Sequence, residues 1–105
     1  MIMHVSRTRG VYAISVAAEM VSMQVQNLRV YERRGLVSPD RTAGGTRLYS
    51  ADDVDVLHRI RDLLAEGLNL AGIARVLELE HRVQRLEVEN AELRHSTGDR
   101  SPGGR

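Results

Sequence analysis

Val25-Gln26-Asn27-Leu28-Arg29-Val30-Tyr31-Glu32-Arg33-Arg34-Gly35 is the stretch on which the fold turns. Val25, Leu28 and Tyr31 fall at i, i+3 and i+6, one apolar stripe of a helix. Gln26, Arg29, Val30 and Arg33 fall at i, i+3, i+4 and i+7, a second face carrying amide and guanidinium groups. The spacing predicts a helix over 25–34. Gly35 ends it, because glycine takes the left-handed conformation at a helix C-terminus without steric cost.

Downstream of this helix, Leu36–Ser50 has no helical period. Ser38-Pro39-Asp40 is a turn signal, and Gly44-Gly45 between Arg41 and Arg47 is a hairpin signal. Together they predict a two-stranded wing with the glycines at its tip. An isolated hairpin is marginally stable, so the wing must pack on helices. Upstream, Ile14–Met20 reads as a short helix with Ser15 as its N-cap, followed by a tight connection over Val21–Met23.

Further out, Ser50-Ala51-Asp52-Asp53 is a capping box. The helix it opens carries Val54, Leu57, Ile60/Arg61 and Leu64 and ends at Gly67. Asn69 caps the next helix, with Leu70, Ile73, Val76 and Leu77 inward. From Val76 the period changes. Val76, Leu79, Val83, Leu86, Asn90 and Leu93 step by alternating threes and fours, a heptad seam with Asn90 as its polar a-position. The positions between are mostly Glu, Arg, Gln and His, so the seam needs a partner, and a homodimer is expected. Ser96–Arg105 lacks apolar residues and is expected to be disordered.

Composition narrows the function. The 105 residues contain no Cys, Phe or Trp and three Tyr. That excludes disulfides, a thiol nucleophile and Cys-based metal or iron–sulfur sites. A large enclosed substrate cavity is not expected. Residues 1–50 hold seven Arg against Glu19, Glu32 and Asp40, a local charge of +4, while residues 51–80 hold three Arg against seven acids. Such asymmetry fits a polyanion-binding face on a nearly neutral chain. His4, His58, His81 and His95 do not pair at i, i+3 or i+4, so no metal site is expected. Asp52, Asp53 and Asp55 sit where a helix N-terminus favours acids, which accounts for them without catalysis. No cofactor motif is present, and an enzyme is not expected. No stretch reaches membrane-spanning length, so the chain is expected to be soluble and cytoplasmic.

What remains is helix, tight turn, helix and basic hairpin. A helix-turn-helix places its second helix in the DNA major groove. Gln and Asn pair with adenine edges, and Arg with guanine edges or phosphates. The candidate DNA-contacting set is therefore Gln26, Asn27, Arg29 and Arg33 on the second helix, with Arg41, Thr46 and Arg47 in the wing; Gln24 ahead of that helix and Tyr49 beyond Arg47 are added to it as neighbours.

The runs Tyr12-Ala13-Ile14-Ser15, Leu28 to Val37, Arg47-Leu48-Tyr49-Ser50, Asp53-Val54 and Glu66 to Ile73, with Pro39, resemble the MerR family of winged helix-turn-helix regulators. The likeness covers residues 11–94. Ile14 to Glu19 and Gly67 to Ile73 most resemble HspR-type heat-shock repressors of actinobacteria. The resemblance implies an all-α fold with a small β wing and a C-terminal coiled-coil helix that pairs antiparallel in a homodimer. It implies DNA contacts from Arg29, Tyr31 and Arg47, an inverted-repeat operator, repression of chaperone genes and a DnaK-type chaperone as co-repressor. The expected organisation is a flexible arm over 1–11, a DNA-binding domain over 12–79, a dimerisation helix over 80–95 and a tail over 96–105. Ser22 stands where the family often has a turn Gly, Gln24 where it often has a Ser cap, and Val30 where Tyr or His is common. The Cys of the family's metal sensors is missing. The large C-terminal domain of its drug sensors is not expected, since about ten residues follow the coil. The competing reading is a MerR-like protein-interaction module that modulates a co-chaperone without binding DNA.

Overall fold

The computed structural model describes residues 6–96. His4, the start of the expected arm and residues 97–105 of the expected tail lie outside them. The order of elements is β1 (Tyr12–Ala13), α1 (Ile14–Met20), α2 (Val25–Arg33), β2 (Asp40–Arg41), β3 (Arg47–Tyr49), α3 (Ala51–Ala65) and α4 (Leu70–Ser96). The chain divides into two compact units between Ile73 and Ala74.

The first unit holds the core. α1 contributes Ala17, Ala18 and the adjoining Val21, and α2 contributes Leu28 and Tyr31. Val37, Tyr49, Val54, Leu57, Ile60, Leu63 and Ile73 complete it. On α3 the expected inward Leu64 is exposed and Leu63 is buried instead. Both leucines continue a helical spacing from Leu57 and Ile60, so the sequence period alone does not choose between them.

The wing is a three-stranded sheet rather than the expected two-stranded hairpin. Its order is β1-β3-β2, both pairs antiparallel. Tyr12 faces Tyr49 and Ala13 faces Leu48 on one side, while Asp40 faces Leu48 and Arg41 faces Arg47 on the other. β1 has two residues, too few for a strand period to be visible. It also displaces the expected cap of α1. The chain passes straight from β1 into the helix, Ala13 is the N-cap without a side-chain bond, and Ser15 lies inside the first turn.

Three helices of this unit close alike. The N–H after the left-handed residue reaches back across the last turn, from Met23 to the Ala18 carbonyl (2.9 Å), from Leu36 to Tyr31 (2.9 Å) and from Leu68 to Leu63 (3.1 Å). This is the Schellman closure. Gly35 (φ +77°) and Gly67 (φ +95°) take the left-handed position in two of them, and Ser22 (φ 56°) takes it in the third. The capping box of α3 is present: Asp53 N donates to Ser50 Oγ (3.0 Å) and Ser50 N to Asp53 Oδ2 (2.9 Å). Asn69 caps α4 as expected, its Oδ1 accepting from Gly72 N at 2.8 Å.

Residues 7–11, expected as part of a flexible arm, are tied down. Asp52 N donates to the Arg7 carbonyl (3.0 Å), and the Arg7 side chain pairs with Asp52 (3.0 Å) and Asp55. The Asp52 hydrogen bond, with the Asp55 charge behind it, raises the Arg7 pKa. Gly10 N donates to Asp40 Oδ2 (2.8 Å) and Val11 N to the Tyr49 carbonyl (2.9 Å).

In the second unit, residues 78–96 of α4 are exposed throughout. Ser96, assigned to the tail by composition, closes this helix. Among the described residues no helix is long and apolar enough to cross a membrane.

Candidate nucleic-acid interface

α2 is buried on one side by Leu28 and Tyr31 and leaves Gln26, Asn27, Arg29 and Arg33 exposed on the other. Gln24 is the N-cap, exposed, and makes no capping bond with its side chain. Gln26, Arg29 and Arg33 share one solvent-facing side of the helix, with Asn27 exposed on its flank and Gln24 exposed at its start, and their donors and acceptors suit base edges and phosphates.

The wing adds a basic edge. Thr42 and Thr46 close its tip: Thr42 N donates to the Thr46 carbonyl (2.8 Å) and Thr46 N to Thr42 Oγ1 (3.1 Å). Gly45 (φ +87°) makes the turn possible. Arg41 Nη1 donates to the Gly45 carbonyl at 3.0 Å, bracing the tip. Thr46 is exposed. Arg41 and Arg47 both converge on Glu32 of α2. Arg41 Nη2 donates to Glu32 Oε2 at 2.7 Å, and Arg47 Nε donates to Oε1. Partial burial pushes the Glu32 carboxyl up, but the bonds from Arg47 and Arg41 outweigh it and hold its pKa below the ordinary value. The Glu32 bond raises the Arg47 pKa.

Two of the candidate contacts are not on this surface. Tyr49 is fully buried and Tyr31 is 5% exposed. Both are core residues here, because each lies on the inward side of its element. Burial raises both phenol pKa values, with the Glu32 charge adding to the effect at Tyr49. The Tyr49 hydroxyl has no hydrogen-bond partner. Sequence reasoning missed Glu32 as a site residue. The signal was present, since Glu32 is the one acid in residues 25–35, among three arginines.

The heptad residues all lie on α4. Val76 is half-buried. Leu79, Val83, Leu86, Asn90 and Leu93 are exposed, the four apolar ones by 45–62%. Among the described residues no group of three or more His, Asp or Glu is placed to hold a metal ion.

The sequence profile of MerR HTH family regulatory proteins matches residues 12–80, from β1 into α4. The chain belongs to the MerR family. Among relatives of this MerR-family chain, a Streptomyces coelicolor protein named as heat shock protein HspR is 54% identical over 84 residues, which are 79% of this chain and 56% of that protein. The HTH-type transcriptional regulator GlnR of Bacillus anthracis is 39% identical over 84 residues, 79% of this chain and 65% of its own length. The chain thus spans less than two thirds of either relative. A solved MerR-family transcriptional regulator from Bacillus cereus has the same fold, with a TM-score of 0.61 at 30% identity, covering 78% of this chain and 66% of that one.

Proposed function

We propose that the chain is a sequence-specific DNA-binding transcriptional regulator, a repressor of heat-shock and chaperone genes that acts as a homodimer on an inverted-repeat operator. The observation that carries this reading is the exposed Gln26, Arg29 and Arg33 on one face of α2, with Asn27 exposed on its flank, beside a wing whose arginines lean on the same helix. A helix so furnished suits the major groove, and a wing beside it suits the adjoining phosphates. The HspR-like sequence supports heat-shock genes as the target. The exposed heptad seam supports a two-fold dimer, and protein symmetry is mirrored in the site. Such a protein works on the nucleoid, in the cytoplasm. A DnaK-type chaperone is the proposed co-repressor. By linkage, it tightens DNA binding only as far as it prefers the DNA-bound form.

The test is a gel shift with the region upstream of the chain's own gene, at stated salt, with and without the purified chaperone. Specific retardation by the wild type, weakened by Arg29→Ala, supports the reading. No retardation of any duplex overturns it and leaves the protein-interaction module. Identical affinities at saturating chaperone discard the co-repressor alone.

A further inference from the structure

One carboxylate holds both wing arginines. Each oxygen of Glu32 takes one guanidinium, Oε2 that of Arg41 and Oε1 that of Arg47. The carboxylate is the most sheltered member, its side chain 18% exposed against 26% for Arg47 and 46% for Arg41. Arg41 is held at both ends, by Glu32 and by the Gly45 carbonyl at the wing tip. Arg47 engages Glu32 through Nε, so its two terminal nitrogens lie outside that bond. The three side chains link the tip of the wing, its β3 strand and α2.

An ion pair this close to solvent contributes only about 0–1 kcal/mol to stability. Its electrostatic consequence is larger. Two cations and one anion leave this cluster of three side chains with a net charge of +1 rather than +2. Attraction to phosphates is sequence-independent and dominates non-specific binding. A regulator must limit that attraction, because competing non-specific sites are in vast excess. An acid paired with the wing arginines lowers it without removing the arginines. It also fixes where they stand relative to the base-facing side of α2.

We propose that Glu32 is a specificity-determining residue of this interface, offsetting the charge of one of the two wing arginines and setting the wing against α2. The inference rests on the DNA-binding reading above. DNA is then gripped where the wing and helix both fit, and bulk attraction is held down.

The probes are a duplex selected by the wild type from a randomised pool and a scrambled duplex of the same composition. Affinity for each is measured across a salt series. Glu32→Gln keeps the size and removes the charge. It should bind the scrambled duplex more tightly and steepen its slope of log affinity against log salt by about 0.9 per subunit. The ratio of selected to scrambled affinity should fall several-fold. Glu32→Asp keeps the charge on a shorter stem. It should leave the scrambled-duplex slope unchanged and weaken the selected duplex, and it carries the test if Glu32→Gln loses its helical circular dichroism. Glu32→Gln with wild-type slope and ratio overturns the proposal, as does Glu32→Asp with wild-type affinity for both duplexes. A wild type that selects no duplex overturns the DNA-binding reading itself, an outcome distinct from either.

Discussion

Ser22 occupies a position that glycine fills in the two other helix closures of the first unit. A side chain there carries about 1–2 kcal/mol of steric cost. Glycine would relieve it while giving back roughly 0.5–1 kcal/mol of unfolded-chain entropy. Ser22→Gly should therefore stabilise the protein by about 0.5 kcal/mol, raising Tm by a few degrees at fixed protein concentration. A lower Tm would mean that the serine earns its place through a contact of its own. Tyr49 makes the opposite kind of case, since its hydroxyl is buried without a partner. Leaving such a group unsatisfied costs about 1–3 kcal/mol, so Tyr49→Phe should raise stability by about 1 kcal/mol in chemical denaturation. DNA affinity should not change, because the side chain is fully buried. A loss of stability would point to an ordered water satisfying the hydroxyl. Neither feature was legible in the sequence. Ser22 could be read as a departure from a family pattern, but its backbone angle could not. Tyr49 stood on a pattern position two residues after Arg47, and only the pairing of β3 on both sides turns its ring inward.

At the scale of elements, the wing and α2 are joined through Glu32, and that joint is sensitive to acid. The folded pKa of Glu32 lies below its ordinary value of 4.5, because its two arginine bonds outweigh its partial burial. The ionised form is thus favoured by folding. The associated stability is fully present above 4.5 and is lost as pH falls through the folded pKa. The stability gap between wild type and Glu32→Gln should be constant from about pH 7 to about pH 5.5 and should close on further acidification. A gap that widens in acid would contradict the geometry. What the sequence revealed of these elements depended on their length and punctuation. α2 and α3 were readable because their apolar stripes run for two turns or more and end in Gly35 and Gly67. The Ser50–Asp53 box was readable because its chemistry is local. β1 was not readable, since two residues carry no period and its partner lies 35 residues or more downstream. Arg7 and its aspartates were likewise hidden, being paired across 45 and 48 residues of sequence.

For the whole molecule, the decisive surface is the seam of α4. Leu79, Val83, Leu86 and Leu93 are 45–62% exposed in the single chain and follow alternating steps of three and four. That spacing is the signature of a helix built to pack along another. Val88 is 51% exposed too, but it lies five residues beyond Val83, off the seam. The two positions separate a dimer interface from mere apolar exposure. Leu86→Asp should place an unpaired carboxylate on each side of a small apolar contact, and burying such a charge is strongly unfavourable. The variant should sediment as a monomer. Its first unit should stay folded, because the core residues from Ala17 to Ile73 all precede the substitution. Val88→Asp should remain dimeric. Affinity for a two-half-site duplex should fall by roughly 10²-fold in Leu86→Asp, since each half-site would be held without the effective concentration that linkage supplies. It should be unchanged in Val88→Asp. A dimeric Leu86→Asp protein would remove the seam as the interface, and a monomer with undiminished affinity would show that one subunit suffices for binding. Both measurements are needed, because the heptad indicates only that the helix wants a partner, whereas a joint loss of dimer and of affinity for a two-half-site duplex would identify that partner as a second copy of this chain.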